Sequence, residues 1–358
     1  MCTGCGTNAA GAADEPAVGR RRLLRGAVAG AALGVGLGAA GTPAQAQERA
    51  ADRRRRRSAH GAQLRWLGVA GWELSFSGHS ILVDPYLSRQ EYTGPGGSTI
   101  DPDTLLAPDT GTVETVARDH LTGAPDLVLV THGHWDHLLD VPQLLDRPAW
   151  RDATIRTLCG ETPLHLLRAL GVGRRRLDRC ITVTGGEYLR FPEGPTSRPP
   201  AWTVQVFRSL HSRLPGYGFV APGHLVTTPE RPRTIKDLVE GGSLAYQVTV
   251  GADGLRVMFL SGTADFAERE VAGERPDVLV LGCSGNAGVH RHAERVMAAL
   301  GNPPLVVPSH HDTMLGKLTS ADIGSTVDTA AVRRLREIVE PLGGTVLEPR
   351  HLVPLTLP

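Results

Sequence analysis

From residue 63 onward the chain alternates short apolar runs with polar turns. The runs fall at 64–69, 72–77, 80–83, 127–130, 154–158, 181–183, 203–210, 244–250, 255–260, 278–281, 305–307 and 346–348. All are strand-length, and most are bounded by Gly, Pro, Asn or Asp. Helical spacing appears at 162–170, closed by Gly171, at 290–300, closed by Gly301, and at 328–339, followed by Pro341. Strands dominate early and helices are interspersed later, which predicts an α/β domain of two packed sheets with helices outside. No repeat is visible at solenoid periods, so residues 63–358 are expected to form one domain near the upper end of single-core size.

The run at 127–130 is continuously apolar, as expected of a strand buried on both faces. Directly after it comes Thr131-His132-Gly133-His134-Trp135-Asp136-His137. If this stretch starts extended, His132 and His134 stand at i and i+2 and point to one side. Gly133 between them lets the backbone come close to whatever they hold, and Asp136 and His137 fall at the start of the next helix or turn. Imidazoles suit zinc and iron, and a carboxylate suits a harder coordination position, so this one loop can supply two ligands to each of two metals. The remaining histidines sort by whether they follow an apolar strand. His211 follows "VQVFRSL", His310 and His311 follow "PPLVVPS", and Asp265 comes shortly after "LRVMFLSG". Strand ends at one sheet edge are neighbours in space, which would gather these residues. His60, His120, His165, His224, His290, His292 and His351 lie in expected linkers, loops or helices and are read as surface or satisfied core residues.

The stretch "THGHWDH" resembles the T-H-x-H-x-D-H signature of the metallo-β-lactamase superfamily, and the later order His, Asp, His is similar to it. The segment "LRWLGVAGWELSFSGHSILVDPYLS" is similar to the first hairpin of a broad hydrolase branch of that superfamily. The branch includes L-ascorbate-6-phosphate lactonase-like proteins and N-acyl-phosphatidylethanolamine phospholipase D. There a strand ends in Asp-Pro near the metals, matched here by Asp84-Pro85. The resemblance spans residues 64–352 and implies a four-layer αββα sandwich. It also implies His132, His134 and His211 around one metal and Asp136, His137 and His310 around the other. His310 rather than His311 fits through Pro308-Ser309-His310, and Asp312 is then expected to hydrogen-bond a ligand imidazole. In the family the bridging aspartate follows a glycine directly, whereas Thr263 follows Gly262 here. Asp265 is assigned as the bridge if the loop carries it into place; otherwise the second metal is held loosely or is absent.

What the resemblance implies chemically is hydrolysis of a small ester, lactone, amide or phosphodiester by a metal-bound hydroxide, with Asp136 as catalytic orienter or proton acceptor. One or two divalent ions are expected, zinc first, with manganese, iron and nickel as alternatives. Two competing readings are an envelope phospholipase D-like phosphodiesterase and a non-catalytic metal-binding protein on the same fold. Substrate contacts are expected from residues 86–121 and 212–236, with Trp135, Tyr217 and Phe219 as an apolar wall. His224, Arg231, Arg233 and Lys236 are the candidates for meeting an anionic group.

Composition changes the picture mainly at the N-terminus. The 358 residues are 41% hydrophobic and 21% charged, which is ordinary for globular proteins. Gly19-Arg20-Arg21-Arg22-Leu23-Leu24-Arg25 precedes an uncharged run at 26–41, too short and glycine-rich to span a bilayer, and then Ala44-Gln45-Ala46. Residues 1–46 therefore read as a cleaved leader, and the paired arginines before Leu-Leu-Arg resemble a twin-arginine signal. Export across a bacterial cytoplasmic membrane is expected, with the twin-arginine machinery as partner and the cell envelope or exterior as destination. Residues 47–62, with five arginines at 53–57, are expected to be a basic disordered linker. Loss of the leader removes Arg20, Arg21, Arg22 and Arg25 against Asp14 and Glu15, leaving 34 basic and 35 acidic side chains. That near-neutral balance gives no reason to expect a nucleic-acid partner, and a small-molecule substrate is expected instead. No amphipathic membrane helix stands out in the mature sequence, so a membrane surface is not indicated. Cys159, Cys180 and Cys283 are read as small core residues, with Cys159 and Cys180 the one candidate disulfide.

Overall fold

The computed structural model describes residues 61–94, 100–192, 200–214, 216–251, 254–286 and 288–358. The expected leader at 1–46, and the linker at 47–62 apart from Gly61 and Ala62, lie outside the described residues. The first half contains β1 (Gln63–Trp66), β2 (Trp72–Phe76), β3 (His79–Val83), α1 (Thr110–Asp119), β4 (Leu127–Leu129), α2 (Trp135–Leu138) and α3 (Val141–Leu145). It continues with β5 (Arg156–Cys159), α4 (Glu161–Ala169), α5 (Arg174–Leu177) and β6 (Cys180–Thr182). The second half contains β7 (Tyr188–Phe191), β8 (Trp202–Leu210), β9 (Leu244–Val250), β10 (Arg256–Leu260), β11 (Asp265–Phe266), α6 (Glu268–Val271) and β12 (Val278–Gly282). It ends with α7 (His292–Ala299), β13 (Leu305–Ser309), α8 (Thr329–Val339), β14 (Thr345–Val346) and β15 (Pro354–Thr356).

Two sheets form, in the orders β15-β1-β2-β3-β4-β5-β6 and β11-β8-β9-β10-β12-β13-β14, with β7 also paired to β8. Each is antiparallel in its first hairpins and parallel afterwards: β3 to β6 run parallel in one, and β10, β12, β13 and β14 in the other. The parallel strands are the ones with continuous apolar runs, because both of their faces are covered. Ile81, Val83, Leu127 and Leu129 meet Val204, Tyr246, Val257, Phe259 and Val280 in a core between the sheets. The alternate residues Leu82, Val128 and Val130 turn outward to pack with Val113, Val116, Leu166 and Leu167. On the far side Met258, Leu260, Leu279 and Val306 pack with Val296, Met297, Val332 and Leu335. The architecture is thus the four-layer αββα sandwich, and each fully buried Val, Leu or Phe in it contributes roughly 1.5–3 kcal/mol.

Some boundaries differ from the sequence expectation, each for a local reason. The first strand stops at Trp66 because the chain turns back at once, with Leu67 N–H donating to the Gly71 carbonyl at 2.8 Å and Val69 at φ +50°. The region 86–121 is not one open loop: Asp109 accepts from Thr112 N–H at 3.0 Å and caps α1, which buries Val113 and Val116. Asp328 likewise caps α8 by accepting from Ala331 N–H at 2.9 Å. Cys159, Cys180 and Cys283 are all free, so the candidate disulfide is not formed. Among the described residues no helix is long and apolar enough to cross a membrane.

Candidate metal centre

Both faces of β4 are apolar, so burial alone does not set its register; the end of β3 does. Asp84, fully buried at φ +41°, accepts from Thr131 N–H at 2.7 Å through Oδ1 and from the Thr131 hydroxyl at 2.6 Å through Oδ2. Thr131 is thereby fixed directly before the histidines. His134 is extended (ψ 158°) and precedes α2, whose first turn carries Asp136 and His137. Gly133 N–H bonds to the Glu240 carbonyl at 2.9 Å, and a Cβ on Gly133 would stand 2.1 Å from the Val239 carbonyl oxygen. The close approach that demands glycine is therefore made by the backbone of residue 239, not by a group held between the histidines. His211 and His310 follow β8 and β13 immediately, so the candidates sit at strand ends, as strand-end clustering requires.

Two groups of three converge: His132, His134 and His211, and Asp136, His137 and His310. In the first, His134 Nδ1 lies 3.1 Å from His132 Nε2 and 3.0 Å from His211 Nε2. The far nitrogens assign the tautomers. His134 Nε2 faces the Ala221 carbonyl at 3.3 Å, and His211 Nδ1 faces the Ser212 carbonyl at 2.9 Å. A carbonyl only accepts, so both far nitrogens carry the proton. His132 Nδ1 lies 3.0 Å from Thr131 Oγ1, whose own proton goes to Asp84, so it too donates. The three inner nitrogens are left as lone pairs facing one another. Lone pairs in such proximity repel unless a cation lies between them, and three nitrogens around one ion at ~2.0–2.1 Å stand roughly 3.3 Å apart. The donor set fits a metal.

The electrostatics agree. Burial first, then the neighbouring imidazoles, holds His132 well below its ordinary pKa; burial and His211 push His134 down to about 3, and burial lowers His211. All three are neutral near pH 7, the form that coordinates. The second group behaves differently. Burial alone would lower His137, but Asp136 Oδ2 at 3.3 Å from Nε2 and Asp84 Oδ2 at 2.9 Å from Nδ1 outweigh it and push His137 up to about 10. Burial would raise Asp136, but the charge of His137 and hydrogen bonds from His137 and His310, the latter at 3.2 Å, hold it well below the usual carboxylate range. The His137 imidazolium thus places one positive charge between the Asp136 and Asp84 carboxylates.

Asp265 is not brought into either group. Phe266 is anchored in the outer core of the second sheet, and Ala264 N–H donates to Ser212 Oγ at 2.7 Å. Held between them, Asp265 pairs with Leu210 in β11 and its carboxylate accepts from Phe266 N–H at 2.8 Å, so it stands outside both groups rather than between them. Asp312 also differs from expectation. Its imidazole partner is His351 (3.0 Å) rather than a candidate ligand, and it also accepts from Arg89 Nη1 at 2.6 Å and Val69 N–H at 3.2 Å. His311 is fully buried and stacks on Trp66 at 4.4 Å, away from the second group that His310 joins.

A cavity of about 230 Å³ opens over both groups. Trp135 and Phe219 line it; Tyr217, His224, Arg231, Arg233 and Lys236 do not. Tyr217 is exposed instead, and Lys236 pairs with Asp103. Several site residues escaped the sequence reading. The Ser212 and Ala221 carbonyls orient ligand histidines, yet a backbone carbonyl leaves no trace in residue identity. Arg89 and His351 meet Asp312 only through the fold. Phe219, stacked on His211 at 4.3 Å, was legible as an aromatic in a pocket loop.

The family model described as Beta-lactamase superfamily domain matches residues 63–310. A UPF0173 metal-dependent hydrolase of Cupriavidus necator is 24% identical over 260 residues, covering 70% of this chain and 74% of that protein. One of Methanoculleus marisnigri is 26% identical over 256 residues, covering 70% and 81%. Among solved structures, a possible metal-dependent hydrolase of Veillonella parvula DSM 2008 superposes with a TM-score of 0.52 at 14% identity. It covers 83% of this chain and all of that one, which is a likeness of fold.

Proposed function

We propose, from the premise that this chain belongs to the Beta-lactamase superfamily and is a metal-dependent hydrolase, that it holds two divalent ions and cleaves a small ester, lactone, amide or phosphodiester. His132, His134 and His211 would hold one ion and Asp136, His137 and His310 the other, with zinc as the metal. The observation that carries this reading is the convergence of three inner nitrogens whose outer nitrogens are all committed as donors. When bound, the ions supply Lewis acidity and a nucleophile drawn from water near neutral pH.

The chain's own residues do the rest. Asp136 stays ionised and presents Oδ2 between His137 and His310, where it would orient the attacking water. Asp84 fixes the His137 ring through Nδ1 and, by way of Thr131, the His132 ring. Trp135 and Phe219 would give the substrate an apolar wall. Export as a folded, loaded protein by the twin-arginine route belongs to the same proposal and is supported by the arginine pair and the Ala44-Gln45-Ala46 site.

Elemental analysis of the purified protein, paired with turnover of esters, lactones, amides and phosphodiesters before and after chelation, tests the chemistry. The expected result is about two ions per chain, loss of activity on chelation and loss of metal in His134→Ala. Full activity in metal-free protein would overturn it. Export is tested with a folded reporter behind residues 1–46, which should stop crossing when Arg21 and Arg22 become Lys.

A further inference from the structure

We propose that the cavity selects a neutral substrate with an apolar arm, and that Leu214, Phe219 and Met314 set the length of that arm. The inference rests on the hydrolase reading of the same site and names its substrate class.

Five of the six candidate ligands, all but His132, line the cavity. The rest of its lining is mostly apolar, with Ile100, Trp135, Leu214, Phe219, Val220 and Met314 beside Ser212, Ser284 and Asp312. None of its described lining residues is Lys or Arg. The cations close by, Arg213 and Arg89, are not among the described lining residues. The Arg213 guanidinium lies over the outer ring of the His211–Phe219 stack at 5.1 Å and donates to the Tyr217 carbonyl at 2.9 Å. Arg89 is fully buried on Asp312 and on the carbonyls of Leu315 and Gly316. Of the hydroxyls, Ser284 donates to the His310 carbonyl, while Ser212 Oγ accepts from Ala264 N–H and keeps its own proton to donate. An anionic group placed along this wall would lose part of its water and meet no Lys or Arg among the described lining residues, whereas a hydrocarbon arm loses nothing by entering. The electrophilic carbon of the substrate would face the ligand groups and its arm would run along Phe219 and Leu214.

The size follows from the space. A 150 Å³ apolar cavity holds one benzene, so about 230 Å³ takes an arm of roughly six to eight carbons. Each methylene buried in it should raise kcat/KM about fourfold until the space is full.

The test uses metal-loaded protein and p-nitrophenyl acetate, butyrate, hexanoate, octanoate and decanoate, with the mono-p-nitrophenyl ester of adipic acid and bis-p-nitrophenyl phosphate as charged controls. The expected result is a rise of about fourfold per methylene that peaks at hexanoate or octanoate, with adipate at least about a hundredfold below hexanoate. Leu214→Arg should narrow the hexanoate-to-adipate ratio at least tenfold. A flat chain-length profile, or preference for adipate or the phosphodiester, would overturn the inference and leave the hydrolase reading standing. Binding is read separately by tryptophan fluorescence with acetone, 2-hexanone and 2-octanone. If no substrate turns over but ketone affinity climbs with chain length and falls at least tenfold in Leu214→Arg, the hydrolase reading fails and the pocket assignment holds. If affinity does not climb, the pocket assignment fails too. Should Leu214→Arg not fold, the chain-length series alone decides.

Discussion

Replacing Gly133 by alanine is the sharpest test of how the loop is built. The added Cβ would stand 2.1 Å from the Val239 carbonyl oxygen and 2.8 Å from Leu166 Cδ1, where approaches under 3.0 Å are essentially never seen. Leu166 can rotate away, but the Val239 carbonyl is backbone, and its neighbour Glu240 accepts the Gly133 N–H at 2.9 Å. Something must therefore move by about 0.9 Å. If residues 239–240 yield, the Gly133–Glu240 bond is lost; if the loop yields, His132 and His134 move with it. Overpacking of this kind costs about 1–3 kcal/mol, which at ~2–4 °C per kcal/mol predicts a fall in Tm of roughly 2–12 °C. The larger effect is on the ligands, because displacement of even ~1 Å in a preorganised site can cost about a hundredfold in function. Gly133→Ala should thus purify folded, by circular dichroism, with less metal than the parent and weaker retention against a competing chelator. Metal content and Tm both equal to the parent's would refute the argument.

Three further changes probe other parts of the site and fold. Asp84→Asn removes the charge that takes the Thr131 hydroxyl and the His137 imidazole, and should weaken metal binding about 10–100-fold in chelator competition; unchanged affinity would show that Asp84 does not position the ligands. Asp265→Asn should keep the parent's metal stoichiometry while Asp136→Asn loses ion, and loss of metal in the Asp265 variant would restore the bridging role. His292, buried away from the site, has its pKa pushed down to about 4 by burial. The folded form therefore binds fewer protons than the unfolded one between about pH 4 and the unperturbed ~6.5. Its contribution to stability is complete above about pH 6.5 and is lost as the pH falls toward 4, at most roughly 3 kcal/mol. His292→Phe should flatten that part of the curve of stability against pH, and parallel acid slopes in the two proteins would refute the assignment.

Much of the architecture was legible because covered parallel strands and ordinary helix ends leave strong local marks. The runs at 127–130, 278–281 and 305–307 and the stops at Gly171 and Gly301 are of this kind. Helix α1 was not, since Thr and Gly are poor helix formers and its fold comes from the Asp109 cap and the burial of Val113 and Val116. Strand β15 begins with a proline and is three residues long, so only its pairing with β1 identifies it. The same division runs through the site. His211 and His310 follow strands directly, and the other four candidates come together in one short motif after β4, which locates them. Asp265 follows β10 at a remove of several residues, and spacing cannot say which way such a residue turns; the anchoring of Phe266 decides it. Asp312 was noticed for its position, but its partners Arg89 and His351 come from distant segments and carry no shared signal.

The pairing of β1 with β15 also governs when this molecule can exist. Gln63 opens the first sheet and faces Thr356 across the register, while Leu352 N–H reaches the Trp66 carbonyl and Leu357 N–H the Ala62 carbonyl. Until residues 354–356 have emerged from the ribosome, one edge of β1 has no partner and stays free. A nascent chain halted short of residue 354 displays that edge to any strand it meets, which makes truncated products the ones prone to aggregate. Pairing along this edge of β1 waits for residues 354–356, however early the sheet's other strands assemble.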